Sequence, residues 1–231
     1  MTDYKLSLVL DNYSYTHLKN HGFTLCGFKA AGVSDPHASD PLVWFTTNQY
    51  HTVSPIIVSG AFQIFISEPV KGDGPITSYS TYDIHLKERY IVTSETGDGK
   101  IEEGYDKTHV VIDNQTKKKF STGLAGSVSV ANEKIGSSLY CVSPLAGWSP
   151  ANLRPVEKLL LCFTSENASK GKVVRKAPAN SILVDLTAAS AEDAPEINYS
   201  SKDDKWSWPA GTTWAEQIKK DQELRSHLIS G

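Results

Sequence analysis

Cysteine and methionine are scarce in this sequence, which has three cysteines and one methionine among 231 residues. The cysteines, Cys26, Cys141 and Cys162, lie in apolar segments and lack the close spacing of a zinc site. We therefore expect reduced thiols in the core, which is typical of cytoplasmic proteins. Residues 1–5 also lack the basic and apolar segments of a signal peptide, which again predicts a cytoplasmic location.

Excess charge and long apolar runs are missing as well. The formal net charge is −3, and the one basic run, residues 117–119, lies in a turn-like segment, so we expect no nucleic-acid partner. The longest apolar stretch, residues 55–66, is interrupted by Ser59, Gly60 and Gln63. It is too short for a membrane helix, and we predict no membrane span.

The short motifs of the common enzyme classes are absent. There is no nucleophile elbow, phosphate-binding loop, zinc-protease motif or dinucleotide fingerprint, which disfavours standard hydrolases, kinases and dehydrogenases. Asp35, His37 and Asp40 carry metal-binding groups, but nothing near them in the sequence completes a site. We therefore predict neither a metal nor a cofactor.

Short β-branched and aromatic runs fill most of the sequence, separated by turn residues. About eleven such runs predict an all-β fold, an antiparallel β-sandwich or jelly roll forming a single domain over residues 1–231. We predict a short N-terminal helix over residues 15–20 after Ser14, and a C-terminal helix over residues 212–229 that begins with a capping box. The small, polar and acidic residues 188–205 predict a surface loop.

Residues 82–92 are predicted to form one strand that carries titratable side chains on a single face. Strand alternation places Asp83, His85, Lys87 and Arg89 together. One interpretation is a solvated outer face. The other is a site in which a histidine beside cations stays neutral near pH 7 and exchanges a proton.

Aromatic and polar side chains also crowd residues 44–51, at the end of a strand and in the loop after it. Tyr50 and His51 present a phenol and an imidazole to a ligand in this interpretation, and Trp44 lines the cavity. Gln63, in an apolar strand, needs a hydrogen-bonding partner if it is buried. Core packing explains Trp44 equally well.

Three tryptophans form the last candidate site. Strand geometry points Trp206 and Trp208 to the same side, where they offer a flat surface to a sugar ring or a planar organic molecule, and Trp148 lies in another loop. The alternative is a clamp that pins the C-terminal helix to the sheet.

A resemblance to a family of small cytosolic all-β proteins of fungi and bacteria is carried by four segments: FTLC (residues 23–26), LVW (42–44), PVEKLLLCF (155–163) and VDLT (184–187). Proteins similar to these include hetero-Diels–Alder enzymes of fungal meroterpenoid pathways. The resemblance implies a role in secondary metabolism, and it transfers no catalytic residue to this chain.

Together these features predict a cofactor-free cyclase or isomerase, of the pericyclase type, acting on a small apolar or aromatic organic substrate. The predicted catalytic residues are Tyr50, His51, His85 and Arg89, and the predicted substrate-binding residues are Trp44, Gln63, Trp148, Trp206 and Trp208. One alternative is a carbohydrate-binding lectin or defence protein without catalytic activity, and another is a storage or structural protein. A homodimer is also left open.

Overall fold

A computed structural model of the chain describes residues 2–33, 39–104, 108–166, 168–192 and 195–229. Strands make up 53% of the chain and helices 9%, so the fold is β-rich, as predicted. The candidate metal ligands Asp35 and His37 lie outside the described residues.

The described elements are eighteen strands and three short helices. The strands, in chain order, are β1 (Tyr4–Leu10), β2 (Thr24–Lys29), β3 (Ala31–Val33), β4 (Asp40–Thr47), β5 (Val53–Ser67), β6 (Tyr79–Asp83), β7 (Glu88–Val92), β8 (Gly99–Glu103), β9 (Val110–Asn114), β10 (Phe120–Val130), β11 (Glu133–Leu139), β12 (Cys141–Leu145), β13 (Ser149–Pro155), β14 (Lys158–Thr164), β15 (Ser181–Asp185), β16 (Glu196–Ser200), β17 (Lys205–Ser207) and β18 (Ala215–Ile218). The helices are α1 (Asn12–Asn20), α2 (Leu186–Ala189) and α3 (Leu224–Ile229).

The strands form two sheets. The first has thirteen strands, eleven of them in the order β17-β16-β1-β5-β10-β12-β4-β2-β14-β15-β18, with β11 paired to β10 and β6 paired to β5. The second has five strands in the order β3-β13-β9-β7-β8. Because β16 runs parallel to β1 and β9 runs parallel to β7, both sheets are mixed, and the prediction of purely antiparallel sheets is wrong.

Three hydrophobic clusters hold the fold together: a larger one and a smaller one contain most of the buried apolar residues, and a third lies around Phe65. Strand β1 alternates, and its inward residues Leu6, Leu8 and Leu10 are buried in the larger cluster. Strands β2 and β14 are buried on both faces, because α3 covers the face opposite the larger cluster. Leu224 and Leu228 of α3 belong to this smaller cluster, and burial of such side chains is the main force that holds a helix of six residues in place.

The N-terminal helix begins earlier than predicted. The carboxylate of Asp11, not Ser14, caps it: Asp11 Oδ1 accepts a 2.7 Å hydrogen bond from the backbone N of Ser14. Ser14 is fully buried inside the helix, and its Oγ accepts a 2.9 Å hydrogen bond from the backbone N of Ser201. The helix is thereby fixed against the turn that joins β16 to β17.

The predicted C-terminal helix over residues 212–229 is much shorter in the structure. Glu216, expected in its first turn, lies in β18, which pairs with β15 and satisfies the backbone groups of that strand. Asp221 then has a φ of +67°, a left-handed conformation that interrupts a helical path. The helix α3 therefore starts at Leu224.

The predicted surface loop over residues 188–205 contains a strand. Residues Glu196–Ser200 pair in parallel with β1, and Ile197 and Tyr199 are buried in the larger cluster. Only these two apolar side chains of the strand point inward, and acidic residues surround it, so the sequence pattern does not predict a strand here.

Candidate functional site

The predicted strand over residues 82–92 is broken in the structure. Strand β6 ends at Asp83 and β7 starts at Glu88, with a turn between them. Lys87 in this turn has a φ of +78°, so side chains before and after it do not alternate across one continuous strand. The single titratable face predicted for this segment is therefore wrong.

His85 and Arg89, two predicted catalytic residues, each contact a glutamate near the surface. The His85 side chain is 73% exposed, and its Nδ1 lies 3.2 Å from Glu88 Oε2. Arg89 Nη2 lies 2.8 Å from Glu102 Oε2 between two strands of the second sheet. Ion pairs with this exposure stabilise a protein only slightly.

Tyr50 and His51 are neighbours in sequence but have different surroundings. Tyr50 is fully buried, its hydroxyl donates a 2.8 Å hydrogen bond to the carbonyl of Phe23, and burial raises its pKa to about 12. His51 is exposed, and its backbone N donates to Ser54 Oγ at 2.8 Å. A phenol and an imidazole facing a shared ligand, as predicted, would require both side chains at one surface.

Trp44 and Gln63 are held by hydrogen bonds within the protein. Trp44 is buried, and its Nε1 donates a 3.1 Å hydrogen bond to the carbonyl of Gly126. Gln63 is half-buried, and its carboxamide donates to Asp83 at 2.8 Å and accepts from Ser137 at 2.7 Å. These contacts match the core-packing interpretation of Trp44.

The tryptophans do not form the open surface that strand alternation predicts. Trp206 is 1% exposed, and its Nε1 donates a 3.1 Å hydrogen bond to the carbonyl of Asn180. Trp208 is half-buried against the larger core cluster. Trp148 is 71% exposed and has a φ of +54°. A flat platform of Trp206 and Trp208 is excluded, because one of its two rings is inside the protein.

Two predicted site residues, Tyr50 and Trp206, belong to one buried group of rings, and each contacts Phe163. We call this group the aromatic cluster: Tyr50, Phe163, Tyr199 and Trp206. Phe163 stacks on Trp206 with ring centroids 5.8 Å apart and planes 10° apart. Tyr50 meets Phe163 edge-on at 5.1 Å, and the Tyr199 ring lies 4.9 Å from both Phe163 and Trp206. Such contacts fix each ring in one position.

A pocket of about 300 Å³ opens beside the aromatic cluster, and we call it the Tyr199–Asp204 pocket. Its apolar side includes Phe163 and Tyr199, and its polar side includes Asn180, Ser201 and Asp204. Strands β14 and β16, the segment that precedes β15 and the β16–β17 turn bring these residues together. His17 of α1 reaches the pocket from the helix that Ser14 fixes to that turn.

The carboxylate of Asp204 is held by two donors. Tyr199 Oη donates to Asp204 Oδ1 at 2.8 Å, and Asn180 Nδ2 donates to Asp204 Oδ2 at 2.8 Å. Burial, followed by the bond to Asp204, raises the pKa of Tyr199, so the phenol keeps its proton and donates. Asp204 has a φ of +47°, a left-handed conformation that costs most residues other than glycine about 1–2 kcal/mol and that aspartate, held by these bonds, adopts more readily.

Three residues form hydrogen bonds with Asn180 and hold it in place. Besides its bond to Asp204, its Oδ1 accepts a 3.1 Å hydrogen bond from the backbone N of Lys220, and its carbonyl accepts the Trp206 indole. The carboxamide is therefore oriented before any ligand arrives.

Ser201 contributes an unsatisfied hydroxyl to the same pocket. Among the described residues, its buried Oγ has no hydrogen-bond partner. Buried polar groups in folded proteins are almost always paired, so this hydroxyl has hydrogen-bonding capacity for a group that enters the pocket.

Charges of both signs complete the lining. Glu166 and Lys220 also line the pocket. No set of three or more His, Cys, Asp and Glu side chains in the described ranges is arranged to hold a metal. In the part of the chain that the structure describes, no helix has the length and apolar character needed to cross a membrane.

Sequence reasoning missed Asn180, Tyr199 and Asp204. The turn sequence Ser201-Lys202-Asp203-Asp204 between two short alternating segments is a signal for a hairpin, but the acidic composition around it favours a loop. No family model, curated protein or solved structure matches this chain.

Proposed function

We propose that this protein binds a carbohydrate in the Tyr199–Asp204 pocket. The observation that carries the proposal is the Asp204 carboxylate, which Tyr199 and Asn180 hold at the wall of a pocket with an aromatic side. Carboxylates and carboxamides form paired hydrogen bonds with neighbouring hydroxyls, which is the pattern that a sugar presents. A volume of about 300 Å³ suits one sugar ring.

Free hydrogen-bonding capacity supports a ligand rich in hydroxyls. Each oxygen of the Asp204 carboxylate accepts one described side-chain bond and has a further lone pair for a ligand O–H. The Ser201 hydroxyl supplies one more donor and acceptor at the same wall. An apolar ligand would leave these groups without partners, which costs free energy in a partly buried site.

The cyclase activity, its apolar substrate and the relationship to hetero-Diels–Alder enzymes stay predictions. Of the four residues assigned to catalysis, Tyr50 is inside the core, His51 is exposed, and His85 and Arg89 contact glutamates elsewhere. The sandwich arrangement of the sheets and a homodimer also stay predictions.

A glycan array tests the proposal. We expect the wild-type protein to bind a defined group of glycans that share a terminal sugar, and the Asp204→Asn variant to lose that binding. Asparagine tolerates the left-handed backbone, so the variant folds while the charge is removed. Absence of binding to any glycan, or unchanged binding by the variant, would exclude carbohydrate recognition at this pocket.

A further inference from the structure

Two cysteines face each other across neighbouring strands. Cys26 of β2 and Cys162 of β14 are directly opposite in the antiparallel register, and both are fully buried free thiols. Directly opposite Cα atoms in such a pair lie about 4.5–5.5 Å apart, within the range of about 4.4–6.8 Å that a disulfide spans. A bond between these sulfurs therefore needs no movement of the strands.

The third cysteine has a different position and provides an internal comparison. Cys141 lies in β12, where its Sγ accepts a 3.3 Å hydrogen bond from the backbone N of Leu124. It belongs to the larger cluster, whereas Cys26 and Cys162 belong to the smaller one.

The two cysteines pack in the same cluster as a very short helix. Cys26 and Cys162 share the smaller cluster with Leu224 and Leu228 of α3. A helix of six residues has little stability of its own and depends on these contacts. Local opening of α3 would loosen this cluster while the sheets stay folded, which would make the two thiols easier to reach.

The thiols react slowly while they are covered. A hydrogen bond with the Cys26 thiol, and then burial, raise the pKa of Cys162, so little thiolate is present at neutral pH. Oxidation is therefore expected to be slow while the cluster stays closed.

We propose that Cys26 and Cys162 form a reversible disulfide when the protein meets a peroxide. The peroxide oxidises one thiol to a sulfenic acid and releases one water. The second thiol then attacks that sulfur, the S–S bond forms, and the hydroxyl group leaves with a proton as a second water. Two thiols lose two electrons in total, and the peroxide gains them. This inference does not depend on carbohydrate binding.

Peptide mapping tests the proposal directly. Native protein is exposed overnight to hydrogen peroxide, alkylated, digested without reductant and analysed by mass spectrometry. We expect a linked peptide pair containing Cys26 and Cys162, separated again by dithiothreitol, with Cys141 recovered as an alkylated thiol. The Cys26→Ala variant should give no linked pair. Recovery of all three cysteines as thiols, or a link that includes Cys141, overturns the proposal.

The role of α3 is tested by a pair of variants. Leu228→Ala weakens the cover and should speed disulfide formation several-fold, whereas Leu145→Ala, in the larger cluster, should leave the rate unchanged. Equal acceleration in both variants would show that the thiols react only through global unfolding, and would overturn a disulfide of the folded protein. A rise in melting temperature on oxidation of the wild type, absent in Cys26→Ala, is expected because the bond joins distant parts of the chain.

Discussion

Tyr199 Oη donates a 2.8 Å hydrogen bond to Asp204 Oδ1, five residues further along the same hairpin. The donor lies at the end of β16, inside the aromatic cluster, and the acceptor lies in the turn before β17, at a φ of +47°. The bond thus connects a rigid ring to a strained turn. It places a carboxylate at the pocket wall in one orientation.

Removal of this bond should weaken ligand binding. In Tyr199→Phe the ring stays in the aromatic cluster, but Asp204 loses one of the two donors that orient it. Hydrogen bonds to charged groups contribute about 1.5–3 kcal/mol, so we expect the affinity for the glycan to fall by about tenfold or more. Isothermal titration calorimetry measures the change.

The matched control is Tyr79→Phe, which alters a partly exposed tyrosine of β6 that is not in the pocket. Its affinity should equal that of the wild type. Equal affinities of both variants and the wild type would contradict a role for the Tyr199 hydroxyl.

The strained backbone at Asp204 predicts a difference between two substitutions. Asp204→Ala and Asp204→Gly both remove the carboxylate, but only glycine adopts a positive φ without strain. We expect Asp204→Gly to be more stable than Asp204→Ala by about 1 kcal/mol in urea denaturation. The reverse order, or equal stability, would show that the turn is not strained.

Truncation to alanine should destabilise the protein strongly at Trp206 and very little at Trp148. Trp206 is buried in the aromatic cluster, and Trp206→Ala should cost about 3–5 kcal/mol of unfolding free energy. Trp148 is 71% exposed, and Trp148→Ala should change stability by less than about 0.5 kcal/mol. Chemical denaturation followed by circular dichroism measures both values.

Loss of glycan binding in Trp206→Ala would therefore reflect damage to the pocket and not the loss of a direct stacking contact. If Trp206→Ala proved as stable as the wild type, the burial of this ring would be refuted.

The buried tyrosines predict a loss of stability at high pH. Burial raises the pKa of Tyr50 to about 12, and it also raises the pKa of Tyr90, Tyr140 and Tyr199. In the unfolded chain these phenols ionise near pH 10, so the folded state holds more protons above that pH. The stability that these buried phenols contribute is fully present below about pH 10, and it is lost as the pH rises through their pKa values in the folded protein.

Melting temperatures measured from about pH 8 to about pH 11 should therefore fall at the upper end. The fall should be smaller in Tyr50→Phe, which removes one of these phenols. An equal fall in wild type and variant would contradict the raised pKa of Tyr50.

The sequence predicted the strands that have a local pattern. The alternation of Leu6, Leu8 and Leu10 predicts β1, and the long apolar run around Ile64 predicts the core strand β5. The three cysteines are buried and free, as expected. In each case neighbouring residues carry enough hydrophobic signal to define the element.

The pocket has no such local signal. Asn180 precedes β15, Tyr199 lies in β16, and His17 lies in α1, and the parallel pairing of β16 with β1 is what brings these segments together. A parallel pair joins segments that are far apart in the chain, so no short pattern reports it. Conversely, His85 and Arg89 looked like a site because the turn at Lys87, which breaks their strand, has no glycine or proline to mark it.

The comparison of two adjacent aspartates tests the central claim most directly. Asp203 is exposed and accepts a 2.9 Å hydrogen bond from Ser200 Oγ, whereas Asp204 lines the pocket. Calorimetric titration of the glycan selected on the array should show an affinity at least about tenfold weaker for Asp204→Asn and unchanged for Asp203→Asn. Equal affinities of the two variants would contradict carbohydrate binding at the Tyr199–Asp204 pocket.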